Sequence, residues 1–169
     1  QYRMPLALAP VGMVGLMARR GEVLGARVAK KAGVPFTAST VGICSLDEIR
    51  DAIGEPCWFQ LYMLRDRAIV EKLLERAAAT GVDTLIFTVD LAVTGMRHRD
   101  WRNGMIGDSP SARLAKFQQL AARPGWLYDI GIRGKPHHFG NLADVTEKPV
   151  DLVSLKDFIA GQFDPTVTW

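Results

Sequence analysis

Thr84-Leu-Ile-Phe-Thr-Val-Asp90, followed closely by Arg97-His-Arg-Asp100, reads as a buried apolar strand ending in a hydroxyl and a carboxylate, with cations just beyond. Polar groups are costly where a hydrophobic strand leaves the core unless something satisfies them, so their grouping at one strand end predicts a ligand site. The arrangement recurs upstream. Leu6-Ala-Leu-Ala-Pro10 runs into Val11-Gly12, Phe36-Thr-Ala-Ser39 into Thr40, and Trp58-Phe-Gln60 into Leu61-Tyr62. Helical spacing follows each of these three runs. Glu22 to Ala32 is one helix, turned back by Gly33-Val-Pro35. Ser45-Leu-Asp-Glu48 is a capping box, after which Leu46, Ile49 and Ile53 share a face and Gly54 supplies the stop. Asp66 opens a third helix with the inward stripe Ile69, Val70, Leu73, Leu74 and Ala77, closed by Gly81.

Strands alternating with helices imply a parallel sheet, because parallel neighbours need a crossover, and the fold class is therefore α/β. The first strand is followed by Pro10-Val-Gly12-Met-Val-Gly15, which fits neither the dinucleotide-binding nor the phosphate-loop glycine pattern. Polar ends on every predicted strand suit a TIM (β/α)8 barrel, in which all strands contribute to one face. Residues 1–93 are thus expected to form the first four βα units. Residues 94–169 form a long excursion after the fourth strand, within the same incomplete domain and leading toward a fifth. The excursion holds amphipathic stretches around Leu114 to Ala121 and Leu155 to Ile159, and no convincing core strand. Insertions of this size usually act as lids or binding loops, or are disordered.

With 169 residues, 48% of them hydrophobic, the chain can bury one sizeable core. No window approaches the roughly 18 apolar residues of a membrane span, and the start lacks a secretory layout, so a soluble, cytoplasmic protein is expected. Cys44 and Cys57 do not make a metal-ligand spacing; they read as reduced, space-filling cysteines, and no metal is expected. Met13, Met17 and Met63 read as core packing. Eight basic residues against three acidic ones between Arg97 and Lys135 make that stretch +5 in a chain of net +3. Such a stretch is either a solvated loop or attracted to an acidic substrate or an anionic membrane surface. No nucleic-acid motif accompanies it, so nucleic acid is not expected.

In order, Ala-Pro-Val-Gly (9 to 12), Ala-Arg-Arg-Gly-Glu (18 to 22), Pro-Phe-Thr-Ala-Ser-Thr (35 to 40), Phe-Gln-Leu-Tyr (59 to 62), Thr-Val-Asp (88 to 90) and Phe-Asp-Pro (163 to 165) span nearly the whole chain. Together these segments resemble the FMN-dependent L-2-hydroxy acid dehydrogenases and oxidases, and most nearly the bacterial flavin lactate dehydrogenase branch. The resemblance implies FMN as cofactor. Pro10, Val11 and Gly12 match a loop whose backbone lies against the flavin, and Ser39, Gln60 and Thr88 match groups that hydrogen-bond its polar edge. Tyr62 matches a tyrosine whose hydroxyl faces the substrate, Arg97 an arginine near the substrate carboxylate, and Asp90 the carboxylate that orients a catalytic histidine.

That histidine has no counterpart here, because His98, His137 and His138 do not fit its motif. The resemblance implies oxidation of a small L-2-hydroxy acid such as lactate to the 2-oxo acid, with hydride transfer to flavin N5 and a quinone, a cytochrome or oxygen as final acceptor. It further implies a homo-oligomer, cytoplasmic or peripheral on the cytoplasmic face of the inner membrane. This chain is then an amino-terminal portion carrying half the flavin cradle, and is expected to be inactive by itself. The alternative is a non-catalytic half-barrel that acts as a binding or assembly module.

Overall fold

The computed structural model describes residues 2–89, 98–102, 109–134, 137–143, 145, 146, 158, 161 and 162. Three parallel strands form its sheet: β1 (Thr37–Ser39), β2 (Trp58–Tyr62) and β3 (Leu85–Thr88), in the order β1-β2-β3. Thr37 pairs with Trp58 and Ser39 with Gln60, while Gln60 pairs with Ile86 and Tyr62 with Thr88. The first predicted strand is reduced to a single parallel bridge between Leu8 and Phe36. Leu8 N–H donates to the Pro35 carbonyl at 2.9 Å, and its own carbonyl accepts from Thr37 N–H at 3.1 Å. Pro5 and Pro10 bracket this run and have no N–H to extend the ladder.

Crossover helices lie between the strands as the sequence predicts: α1 (Gly21–Ala32), α2 (Leu46–Ile53) and α3 (Arg67–Ala79). Ser45 caps α2 by accepting from Glu48 N–H at 3.2 Å. The return half of the capping box is replaced, because the Glu48 carboxylate pairs with Arg20 at 3.0 Å. Asp66 caps α3 through Ala68 N–H at 3.0 Å. Gly33 and Gly54 end α1 and α2 in the left-handed region, where a side chain would be strained.

One core joins these layers. Phe59 and Leu61 point from β2 into a cluster with Ile49 and Ile53 of α2 and Ile69, Val70, Leu73 and Ala77 of α3. Three details differ from expectation. Leu74 is exposed, because it falls just outside the stripe that meets the sheet. Met17 is 77% exposed, whereas Met13 and Met63 do pack against the core. The β3 strand, expected to be buried, is half-open: Leu85 is 45% exposed at the sheet's edge.

Beyond β3 come α4 (His98–Arg102), α5 (Pro110–Ala121), the single turn α6 (Pro124–Trp126) and a π-helical turn, Leu127–Ile132. Ser109 caps α5, accepting from Ala112 N–H at 3.2 Å. Trp126 Nε1 donates to the Leu16 carbonyl at 2.8 Å, and Arg19 pairs with Asp129 at 3.2 Å, so this part of the excursion rests on the loop before α1. Phe139, Leu142 and Val145 enter the main core, a contribution the sequence reading does not anticipate. Phe158 also packs there, and Gln162 receives the Arg65 and Asp66 amides at 2.6 and 3.2 Å.

Candidate functional site

Side chains alternate across a strand, so Phe59 and Leu61 face the helices while Trp58, Gln60 and Tyr62 face the opposite side. On that side a polar chain crosses all three strands. The Ser39 hydroxyl donates to Gln60 Oε1 at 3.1 Å, Gln60 Nε2 donates to Thr88 Oγ1 at 2.7 Å, and the Thr88 hydroxyl donates to the Leu61 carbonyl at 3.3 Å. Ser39 Oγ also accepts from Val41 N–H at 3.3 Å. Gln60 is only 1% exposed, so its amide is held by these partners and not by water.

The loop that follows Leu8 approaches the same rim. Met13 N–H donates to the Val41 carbonyl at 3.0 Å, and a Cβ placed on Gly12 would lie 3.8 Å from Ser39 Oγ. The same Cβ would meet Val41 Cγ2 at 2.7 Å. Contact between neighbouring loops therefore favours glycine here. Pro10 is half-buried and Val11 exposed beside it. The structure thus brings Gly12, Ser39, Gln60 and Thr88 together, with the half-buried Tyr62 on the same strand face as Gln60. Asp90 and Arg97 lie outside the described residues.

Four further residues build this site without having been singled out for it. Thr40 Oγ1 donates to the Gln60 carbonyl at 2.6 Å and accepts from Tyr62 N–H at 3.3 Å. Asn141, fully buried, donates to the Ser39 carbonyl at 3.1 Å and accepts from Leu46 N–H at 2.8 Å, tying the end of β1 to the start of α2. Arg76 donates to the carbonyls of Gly140 and Asn141 at 3.1 Å each, which fixes the strap of residues 139–142 against α3. Glu22, buried, accepts from the Gly15 and Ile43 amides of two neighbouring loops. Only Glu22 had a local signal, a carboxylate in the first turn of a helix.

His138 borders a polar cavity with Arg20, Ser45, Glu48 and Arg76, and His137 Nε2 lies 2.7 Å from the Ile130 carbonyl. Neither histidine is among the hydrogen-bond partners of the Ser39–Gln60–Thr88 chain. Burial, followed by the negative charges of Glu22 and Glu48, pushes the Cys44 thiol up to about 12; burial pushes Cys57 up to about 11. Both cysteines are buried and free, as expected.

A strap-braced polar rim across parallel strands is a feature that many barrels could share; comparison with known proteins separates them. The sequence profile of FMN-dependent dehydrogenases matches residues 1–169. The chain belongs to the FMN-dependent dehydrogenase family. Among curated family members, the L-lactate dehydrogenase of Vibrio parahaemolyticus is 47% identical over 166 residues, which are 98% of this chain and 43% of that protein. That of Stenotrophomonas maltophilia is 48% identical with the same coverage. A monotopic membrane protein, (S)-mandelate dehydrogenase, superposes with a TM-score of 0.78 at 31% identity, covering 99% of this chain and 44% of the other. Mandelate oxidase superposes at 0.64 and 31% identity, covering 98% and 38%. The chain therefore spans less than half the length of the curated relatives it matches. Its three-stranded parallel sheet agrees with part of a barrel, and the cofactor of its family is FMN.

The Ser39 and Thr88 hydroxyl protons go to Gln60 and to the Leu61 carbonyl, which leaves the second N–H of the Gln60 amide and the oxygen lone pairs of this chain to answer a ligand that presents both carbonyls and an N–H, as the polar edge of a flavin does.

Proposed function

We propose that this chain supplies the amino-terminal wall of the flavin site in an FMN-dependent L-2-hydroxy acid dehydrogenase of the lactate type. The observation that supports it is the buried Ser39–Gln60–Thr88 chain beside Gly12, on one face of parallel strands. FMN, when bound, supplies the acceptor for the hydride leaving C2 of the hydroxy acid. Ser39, Gln60 and Thr88 hold and polarise the ring's polar edge in a dry setting, where fixed dipoles need no reorganisation. Pro10, Val11 and Gly12 lay backbone against the ring. Tyr62 directs its hydroxyl to the substrate, Arg97 binds the substrate carboxylate, and Asp90 stabilises the protonated form of the base. Residues 1–93 and the excursion 94–169 belong to one domain in this reading, supported by Phe139 and Leu142 within the common core.

Among the described residues no helix is long and apolar enough to cross a membrane. From Arg113 to Arg133, however, Leu114, Phe117, Leu127, Tyr128 and Ile132 are exposed, with Lys116 and Arg123 between them and Arg113 and Arg133 at the two ends. Exposed apolar groups mixed with cations favour peripheral contact with anionic lipid, and hence a membrane quinone as acceptor.

The test is the absorbance spectrum of the protein purified at its natural length, before and after L-lactate under anaerobic conditions. Bound flavin that bleaches with L-lactate and not with D-lactate is expected. A folded protein without flavin would favour the non-catalytic module, and a flavin indifferent to L-2-hydroxy acids would refute the substrate class.

A further inference from the structure

Glu22 stands in the first turn of α1 and is 2% exposed. Its Oε1 accepts from Gly15 N–H at 3.1 Å and from Ile43 N–H at 2.9 Å. These amides belong to different loops, the one before α1 and the one after β1. Its Oε2 is buried and has no hydrogen-bond partner among the described residues. A carboxylate near a helix N-terminus gains from the helix dipole without leaving solvent, and desolvating it is costly, so its burial needs another reason. Packing around it supplies one. A Cβ on Gly15 would meet the Ile43 side chain at 2.6 Å, and one on Gly21 would meet Val14 Cγ1 at 2.6 Å. Met13 and Arg20, at either end of this loop, have φ of 59° and 55°, the two positive values among described non-glycine residues. Such strain persists only where the surroundings over-determine it.

We propose that Glu22 is a positioning residue of the flavin site: its carboxylate ties the first loop to the second and so fixes the Pro10–Gly12 backbone relative to Ser39. This rests on the flavin reading above and goes beyond it by naming what holds the two halves of that wall in register. Without the acceptor, two loop amides lose their partner and the strained loop relaxes. A planar ligand that touches both loops must then order them on binding, which weakens its affinity.

Glu22→Gln, Glu22→Leu and the remote Leu73→Ala separate positioning from simple stability, in the protein at its natural length. The readouts are the FMN dissociation constant from flavin fluorescence, the unfolding midpoint without FMN, and hydrogen exchange at the Gly15 and Ile43 amides. Glutamine keeps the accepting oxygen, so Glu22→Gln should stay within about threefold of wild type, whereas Glu22→Leu should weaken FMN by about tenfold or more and deprotect both amides. Leu73→Ala should lower the midpoint and leave FMN affinity within about threefold. Unchanged FMN affinity in Glu22→Leu, with wild type binding normally, overturns the proposal and leaves the flavin reading standing. A wild type that takes up no FMN overturns both. If Glu22→Leu does not fold, Glu22→Asp replaces it, retracting the carboxylate by one methylene: weakened FMN binding supports the proposal and unchanged binding overturns it.

Discussion

Replacing Gln60 with leucine separates a structural strut from a cofactor contact. The Gln60 amide receives the Ser39 hydroxyl at 3.1 Å and the Thr40 N–H at 3.4 Å, and donates to Thr88 Oγ1 at 2.7 Å. Leucine has a similar volume, so the expected cost is polar and not steric. Thr40 N–H keeps the main-chain carbonyl of residue 60 at 3.1 Å, and the Thr88 hydroxyl keeps the Leu61 carbonyl at 3.3 Å. The Ser39 proton loses its acceptor, and Thr88 Oγ1 loses its donor. Leaving these two groups unpaired costs roughly 1–3 kcal/mol each, and burying leucine in place of an amide returns about 1 kcal/mol; the net loss should be about 1–5 kcal/mol. Urea unfolding without FMN should show a lowered midpoint at unchanged slope. If Gln60 also grips the ring edge, the FMN dissociation constant should rise about tenfold to a hundredfold. A shifted midpoint with unaltered FMN affinity would leave Gln60 as a strut alone and refute its place in the cradle.

Asn141→Leu should cost about 2–4 kcal/mol in urea unfolding, because the Ser39 carbonyl and Leu46 N–H both lose a buried partner, and helical circular dichroism should fall as α2 frays. For Cys44, the raised native value favours the neutral thiol. Its contribution to stability is complete below the ordinary thiol value of 9.0 and is lost as pH climbs toward about 12. Stability should therefore fall with alkali more steeply in wild type than in Cys44→Ala, and iodoacetamide at about pH 8 should label neither cysteine before unfolding. Paired Phe117→Glu and Ile132→Glu substitutions should cut co-sedimentation with anionic phospholipid vesicles by about tenfold; undiminished binding would refute the surface assigned to α5 and the π-helical turn.

Local chemistry made most of the framework legible. The Ser45 and Asp66 caps, the stops at Gly33 and Gly54, and the facing pattern of Leu46, Ile49 and Ile53 each depend on residues a few positions apart, so spacing alone reveals them. The rim was legible for a related reason: Ser39 pairs with Gln60 across parallel strands, and Thr88, two residues beyond Ile86, the partner of Gln60, falls on the same face within reach of the glutamine side chain. Exposure was less readable. Met17 and Leu85 look like core residues by composition, and only the position of the sheet edge and of the first loop places them in solvent. The strap was not readable. Phe139, Leu142 and Val145 recur at a spacing of three over too few residues to mark an element, and Asn141 acts on groups 95 and 102 residues away. Nothing local marks an asparagine as the link between a strand's last carbonyl and a helix's first amide.

The glycines of Pro10-Val-Gly12-Met-Val-Gly15 show where the sequence argument and the physical cause part. A glycine near a planar cofactor suggests close approach by the ring, yet both of these face protein: Gly12 faces Val41, and Gly15 faces Ile43. Their spacing of three places successive glycines along one loop against alternate residues of the next. The Met13 amide and the Glu22 carboxylate then lock that contact. The motif therefore encodes the seam between two neighbouring βα loops, and any contact with a flavin is made by a backbone that the seam has already placed. On this account Gly15→Ala, which lies away from the Ser39–Gln60–Thr88 rim, should be as damaging as Gly12→Ala: each forces a side chain aside at about 1–3 kcal/mol of overpacking. If only Gly12→Ala weakened folding and FMN binding, the ring and not the seam would be what requires glycine.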